Sequence, residues 1–268
     1  SDVYSFGRIF ERSGCICDDA TQRSEQTMID VVRALLNKTV FRVLDVYVAE
    51  RGIPMLQSRF LKNTGGQKLL HAAISTGEYV SLNMPGAQPL EDRKEGLLRA
   101  VELISIEGMC CEFGVYRGWS ANLVASNISS TLHGFDSFKG LPESWRAGFD
   151  EGAFALEAGD LPKVRENVEL HVGWYNETLP DFLEKHDAQV AFLHLDSDLY
   201  SSTSYILSLI GDRIQSGTVV VFDDYLNYPG WQNGDFKAWQ EFIERTGLRY
   251  EYIGHSLLNS QVVVRILD

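Results

Sequence analysis

Cys110-Cys111-Glu112-Phe113-Gly114-Val115-Tyr116-Arg117-Gly118-Trp119-Ser120 is the stretch that decides the fold. Residues 110–113 read as a short strand, Gly114 and Gly118 let the backbone turn sharply, and a helix follows from Ser120 to Ile128. A strand running through a glycine turn into a helix is the opening unit of a doubly wound α/β sheet, whose ligands gather beyond the carboxyl ends of the strands. The glycine spacing is not GxGxxG, so a pyrophosphate-cradling dinucleotide turn fits poorly. An acidic residue ahead of the first glycine, with a looser loop, suits a ligand that carries an ammonium group.

Downstream of this stretch the alternation continues. Leu132–Phe135, Val168–Val172, Val190–Leu195 and Thr218–Phe222 read as strands, with helices over 179–185, up to Ile210, and over 236–246. Tyr250–Ile253 and Val262–Ile266 read as two last strands with no helix between them, so they are expected to pair antiparallel. The expected core is therefore a mostly parallel seven-stranded sheet ending in an antiparallel hairpin. Upstream the pattern is helical, with Met28, Val31, Val32, Leu35 and Leu36 at helix spacing, continued by Phe41, Leu44 and Val48. Gly65-Gly66 and Met84-Pro85-Gly86-Ala87-Gln88-Pro89 read as loops, and Asp92 as the cap of a helix carrying Leu97, Leu98, Val101 and Leu103. The chain is thus expected to divide into an N-terminal helical segment, 1–91, and an α/β core, 92–268. The first is a candidate lid hinged at Gly65-Gly66 or Pro85-Gly86, or a dimer arm.

Chemistry-bearing residues fall at strand ends. Asp136 and Ser137, followed by Phe138, close the second core strand, where a carboxylate is placed to accept from ribose hydroxyls; a turn-capping role is the plainer reading of Asp136 in isolation. Gly173-Trp174 closes the third, where an aromatic ring can wall an adenine or simply pack. The fourth and fifth strands run into Asp196-Ser197-Asp198 and Phe222-Asp223-Asp224. Strands joined by one helical crossover are commonly neighbours, so these four carboxylates are expected to converge. Like charges held together repel and raise one another's pKa. Neither motif contains a Lys or Arg, so a bound cation is the expected remedy, and an all-oxygen set selects Mg²⁺ or Ca²⁺ over zinc. Any single Asp here could merely cap a helix. His194 and His133 read as satisfied core histidines rather than ligands.

The formal net charge of -13, without a Lys/Arg run, argues against nucleic acid as partner. The longest apolar runs are far too short to cross a bilayer, and no signal-peptide pattern opens the chain, which reads as cytoplasmic. Cys15, Cys17, Cys110 and Cys111 lack metal-site spacing and read as reduced thiols. A first residue of Ser and an end just past the last strand suggest a domain cut from a longer polypeptide, such as a multidomain synthase.

Taken in order, Glu112–Ser120, Asp136-Ser-Phe-Lys-Gly-Leu-Pro142, Gly173-Trp-Tyr-Asn-Glu-Thr-Leu-Pro180, Leu195-Asp-Ser-Asp-Leu-Tyr-Ser-Ser-Thr203 and Asp223-Asp-Tyr225 resemble the macrocin O-methyltransferase family, class I enzymes that decorate antibiotic sugars. The resemblance covers roughly residues 109–267. It implies a Rossmann-like methyltransferase sheet that binds S-adenosylmethionine and releases S-adenosylhomocysteine. Glu112, Gly114 and Ser120 would surround the methionine end and Asp136 with Ser137 would hold the ribose, with Tyr116, Gly118, Phe138, Gly173 and Trp174 as further cofactor-binding candidates. Asp196, Asp223 and Asp224 match the family's Mg²⁺ ligands, and Asp198 the position of a general base, a role that other members give to a histidine. The implied acceptor is a hydroxyl of a polyketide or its deoxysugar, free or tethered to a carrier protein, and the implied assembly is a homo-oligomer. The rivals are an NAD-dependent dehydrogenase or epimerase, opposed by the missing GxGxxG and Tyr-x-x-x-Lys patterns, and a cofactor-binding docking domain without catalysis, opposed by the intact aspartates.

Overall fold

A computed structural model of the chain describes residues 51–267, Ala158 excepted. Two units are distinguished, residues 1–67 and 68–268. In the first, the described part is a helical turn Ile53–Leu56 continuing into a π-helical turn Gln57–Leu61. The helical pattern expected at residues 28–48 lies outside the described residues, as do Cys15 and Cys17.

The remaining elements are α1 (Thr64–Asn83), β1 (Gln88–Leu90), α2 (Arg93–Glu102), β2 (Met109–Phe113), α3 (Trp119–Ala125), β3 (Leu132–Asp136) and β4 (Val168–Val172). They continue with α4 (Tyr175–Lys185), β5 (Val190–Leu195), α5 (Tyr200–Ile210), β6 (Ile214–Phe222), α6 (Asp235–Thr246), β7 (Tyr250–Ser256) and β8 (Val262–Ile266). The strands form one sheet in the order β1-β7-β8-β6-β5-β2-β3-β4. Every pairing is parallel except those of β8 with β6 and β7, so the antiparallel hairpin stands where the sequence places it.

The sheet has eight strands rather than seven. The added one, Gln88-Pro89-Leu90, falls in a stretch read as loop, and pairs in parallel with β7 through Gln88↔Gly254 and Leu90↔Ser256. Proline cannot donate to a ladder, but at a sheet edge its missing N–H costs nothing. Gly65-Gly66 also departs from expectation. Both lie in the first turn of α1, where their N–H groups donate to Asn63 Oδ1 at 2.8 and 3.2 Å. A capped first turn tolerates glycine because its donors are satisfied by the side chain before it.

Side-chain alternation along the strands feeds two cores. Cys111, Phe113, Phe135, Leu193, Leu195, Val220 and Phe222 pack on one face with α4, α5 and α6, through Leu179, Phe182, Ile206, Ile210, Trp239 and Phe242. Cys110, Leu132, Phe192, Val219, Val221 and Val263 pack on the other with α2 and α3, through Leu97, Ala100, Ala121 and Val124. Because β2, β5 and β6 are buried on both faces, their sequences are nearly continuous apolar runs. The polar exceptions in them therefore mark positions with a task. No described helix is long and apolar enough to cross a membrane.

Candidate functional site

The carboxyl ends of β2, β3, β5 and β6 open into a cavity of about 850 Å³. Its wall includes Gly114, Tyr116, Ser120, Asp136, Ser137, Gly173, Trp174, Asp196, Asp198, Asp223 and Asp224, so eleven of the fourteen residues singled out in the sequence meet there. Glu112, Gly118 and Phe138 do not line it. Glu112 is fully buried, its Oε1 3.2 Å from His194 Nδ1. Gly118, at φ +76°, caps α3 and faces Pro162 and Val164, and Phe138 packs in the second core.

Local geometry explains the glycine at 114. It adopts φ +96°, and a Cβ there would collide with the carbonyl oxygen of Asp196, whose own N–H donates to Phe113 O at 2.8 Å. The turn after β2 and the turn after β5 thus touch through backbone, and any side chain would push the aspartate motif away. Asp136 holds the same turn from the other side. Its Oδ2 accepts from the N–H groups of Val115 at 2.9 Å and Tyr116 at 2.8 Å, and its Oδ1 from Phe138 N–H at 2.7 Å. Three of the four acceptor sites of the carboxylate are so taken, and the one that remains, on Oδ1, is left for a ligand in the cavity. Asp136 therefore serves as loop anchor and as a rim acceptor together.

The four aspartates converge as their strand positions require. Asp196, Asp198 and Asp224 each offer an oxygen, and the three lie within 4.8 Å of one another. Asp198 is held in the left-handed region at φ 60°, which turns its carboxylate toward the others and is a conformation that functional sites retain at a cost. Burial, then repulsion from Asp223, raises Asp196 well above the ordinary carboxylate range. Burial, then Asp224, pushes Asp198 up to about 8, while burial, then Asp223, pushes Asp224 up to about 7. Asp223 Oδ1 accepts from Gln261 Nε2 at 3.1 Å, and lies 4.0 Å from His194 Nε2, a buried nitrogen without a hydrogen-bond partner.

Part of the compensating charge comes from residues that the sequence motifs did not include. Arg93, in the first turn of α2, reaches across to Asp196 Oδ2 with Nη2 at 2.9 Å and to Asp223 Oδ1 with Nε at 2.8 Å. Arg146 Nη2 lies 4.0 Å from Asp224 Oδ1, its guanidinium 3.9 Å from the Trp145 ring centroid and 5.0 Å from those of Phe149 and Tyr228. Beneath them Asp235, fully buried at the start of α6, accepts from Thr203 Oγ1 at 2.6 Å, and Ser197 Oγ lies 2.8 Å from the same hydroxyl. Burial raises Asp235 well above its ordinary range, the Thr203 hydrogen bond opposing this in part. Arg93 precedes the aspartates by about a hundred residues and carried no sequence signal; Asp235 could have been noticed as an acidic residue opening a predicted helix.

Residues 111–225 match the family model described as a methyltransferase domain. The chain is 30% identical over 164 residues to the 8-demethyl-8-(2,3-dimethoxy-alpha-L-rhamnosyl)-tetracenomycin-C 4'-O-methyltransferase of Streptomyces olivaceus, a match covering 50% of this chain and 60% of that protein. It is 28% identical over 163 residues to the demethyldecarbamoylnovobiocin O-methyltransferase of Streptomyces niveus, covering 51% and 61%. The chain thus spans about three fifths of the length of these relatives. Among solved structures, the calicheamicin methyltransferase CalS11 superposes with a TM-score of 0.50 at 25% identity, covering 64% of this chain and 76% of that one. The O-methyltransferase NovP shares the fold, with a TM-score of 0.52 at 23% identity, covering 66% and 80%. The expected methyltransferase sheet and the resemblance to natural-product O-methyltransferases are both met.

Proposed function

We propose that this chain, which carries a methyltransferase domain over residues 111–225, transfers the methyl group of S-adenosylmethionine to a hydroxyl of a natural product, a polyketide or its deoxysugar. The observation that carries the reading is the meeting, in one cavity, of a glycine turn after β2, an acid at the end of β3, and the Asp196–Asp198–Asp223–Asp224 cluster after β5 and β6. The two antibiotic-tailoring O-methyltransferases that the chain resembles support the substrate class.

The sulfonium of the donor supplies an activated methyl group, so the residues need to align two reactants and take up one proton. Gly114, Ser120 and the Asp136 rim would hold the donor, and Trp174 would wall its base; their meeting in one cavity supports this. Trp145, Phe149 and Phe154, on the loop between β3 and β4, give the cavity an aromatic surface on which a sugar or polyketide ring can lie. No histidine occurs among the described cavity-lining residues, which favours Asp198 as proton acceptor over the histidine of other family members. Burial, then the charge of Asp224, pushes its carboxyl up to about 8, the direction that makes a carboxylate a better proton acceptor.

The cluster fits a hard divalent cation. Oxygens of Asp196, Asp198 and Asp224 are close, burial first and mutual repulsion second raise the pKa of these three acids, and all three donors are oxygen. Asp196, Asp223 and Asp224 would hold Mg²⁺, with Asp198 beside them, and the ion would stabilise the developing alkoxide of the acceptor. For Asp223 this requires sharing with Arg93 and Gln261, which now engage it. The test is incubation with methyl-labelled S-adenosylmethionine and a panel of deoxysugar-bearing polyketides, read by mass spectrometry, with chelator and with Mg²⁺ added back. Label appearing on an acceptor hydroxyl supports the reading, and full turnover in excess chelator removes the metal from it. Absence of transfer to every acceptor, together with no calorimetric binding of S-adenosylmethionine, defeats it.

A further inference from the structure

Away from the cavity, on the sheet face covered by α4, β3 and β4 present three ligating side chains that the proposed reaction does not use. The parallel register sets His133 opposite Glu169, and the two-residue period of β4 puts His171 on the same side. His133 Nδ1 lies 3.2 Å from His171 Nε2 and 3.5 Å from Glu169 Oε2. One ligand atom from each residue falls within 4.8 Å of the other two. We propose that His133, Glu169 and His171 form a binding site for a transition-metal cation of the zinc class, distinct from the carboxylate cluster in the cavity.

Two arguments carry this. The first is geometric. Zn–N and Zn–O bonds of about 2.0–2.1 Å in a tetrahedron require ligand atoms roughly 3.3–3.4 Å apart; the two separations from His133 Nδ1 are 3.2 and 3.5 Å, and the third pair lies within 4.8 Å, a gap that a turn of the exposed Glu169 side chain closes. The second concerns proton bookkeeping. Nδ1 of a neutral imidazole carries either one proton or one lone pair. If His133 Nδ1 donates its proton to His171, Glu169 faces a nitrogen with nothing left to give. If it accepts from His171, its one lone pair is taken and it has no proton to offer the carboxylate. A shared cation satisfies all three groups at once.

The surroundings suit such a site. His171 is stacked on Phe135 with centroids 4.5 Å apart, and His133 rests on Phe182 at 4.7 Å, so both rings are fixed in direction. Glu169 is largely exposed, which gives an ion a route in and water a coordination position. His186, whose ring lies 5.2 Å from that of His133, is a candidate fourth ligand. Its Nδ1 sits 2.9 Å from Phe182 O, an acceptor, so Nδ1 bears the proton and Nε2 keeps its lone pair. Lys185 opposes a cation near His171, and the Glu169 carboxylate offsets it. Occupation would tie the edge strand β4 to β3 at the level of side chains.

The test uses the full chain, stripped with chelator and titrated with Zn²⁺ by calorimetry, with Co²⁺ absorption as a second probe. The expected result is one saturable equivalent that persists in the double variant Asp198→Asn/Asp224→Asn and is lost in both His171→Ala and Glu169→Gln. Those last variants should keep the wild-type circular dichroism spectrum. At a hundredfold excess over the dissociation constant, Zn²⁺ should raise the wild-type Tm by about 5–10 °C and leave that of His171→Ala unmoved. Retention of the equivalent in His171→Ala, its loss in the aspartate double variant, or a titration with no saturable heat would each overturn the site.

Discussion

Arg93→Met is the perturbation that most directly probes the electrostatics of the cavity. The guanidinium bridges two carboxylates, at 2.9 Å to Asp196 and 2.8 Å to Asp223. With charge centres about 4 Å apart and an effective dielectric near 20, each pair is worth roughly 4 kcal/mol, or about 8 kcal/mol gross for the two. The Arg93 side chain is 38% exposed, so solvent screening and its own desolvation remove more than half of that sum. A net loss of about 2–4 kcal/mol remains, which for a domain of this size lowers Tm by roughly 5–15 °C. The sign of its pH dependence follows from the acids. Asp198 and Asp224 have folded pKa values raised to about 8 and about 7, so the folded state holds protons that the unfolded chain has released. Their contribution to stability therefore falls as pH rises from the ordinary carboxylate range through 8, and removing Arg93 deepens that fall. The deficit of the variant should be greatest above pH 8 and should shrink toward pH 5. Thermal unfolding of both proteins at pH 5, 7 and 8.5 in low salt, followed by near-ultraviolet dichroism, measures it. Millimolar Mg²⁺ should restore much of the loss if the cluster takes a cation. A Tm within 2 °C of wild type at pH 8.5, or a deficit that does not vary with pH, would refute the claim that Arg93 neutralises this cluster.

Three further outcomes are expected. Gly114→Ala should cost more than ~2 kcal/mol and abolish S-adenosylmethionine binding, because the residue sits at φ +96° against the Asp196 carbonyl; a calorimetric titration indistinguishable from wild type would contradict this. Asp198→Asn should lower kcat by about 10²–10⁴ while leaving the donor's dissociation constant nearly unchanged, since the loss is of a proton acceptor; a pre-steady-state methyl-transfer assay separates the two parameters, and an unaltered rate moves the base elsewhere. Stability should decline above pH 9 and more steeply above pH 10, because burial raises the Cys111 thiol and the Tyr225 phenol far above their ordinary 9.0 and 10.0. The unfolded chain ionises first, so each group withdraws about 1.4 kcal/mol per pH unit beyond those points; urea midpoints that stay level to pH 11 would show that these groups are not buried in the folded state.

Much of the architecture was legible in the sequence because strand, turn and helix signals are local. Met109–Phe113 and Val190–Leu195 are apolar on both faces, and the residues that interrupt or follow such runs stand at strand ends. That is why the sequence alone puts Gly114, Asp136, Asp196, Asp198, Asp223 and Asp224 at strand ends, where they line one cavity. Short or weakly patterned elements were not legible. Gln88-Pro89-Leu90 becomes a strand only because β7 offers it an edge, and Gly65-Gly66 becomes helical only because Asn63 caps the turn.

What the sequence determined by itself was the order of the elements and the chemical types at their ends, since these depend on neighbours in the chain. Only the tertiary structure decided who partners whom. Arg93 meets Asp196 across 103 positions and Glu112 meets His194 across 82, pairings that depend on helix α2 and strands β2 and β5 being folded against one another. A sequence motif can announce that four carboxylates need positive charge, but the source of that charge is a matter of three-dimensional distance. In this protein part of it comes from Arg93, on a helix lying outside every motif.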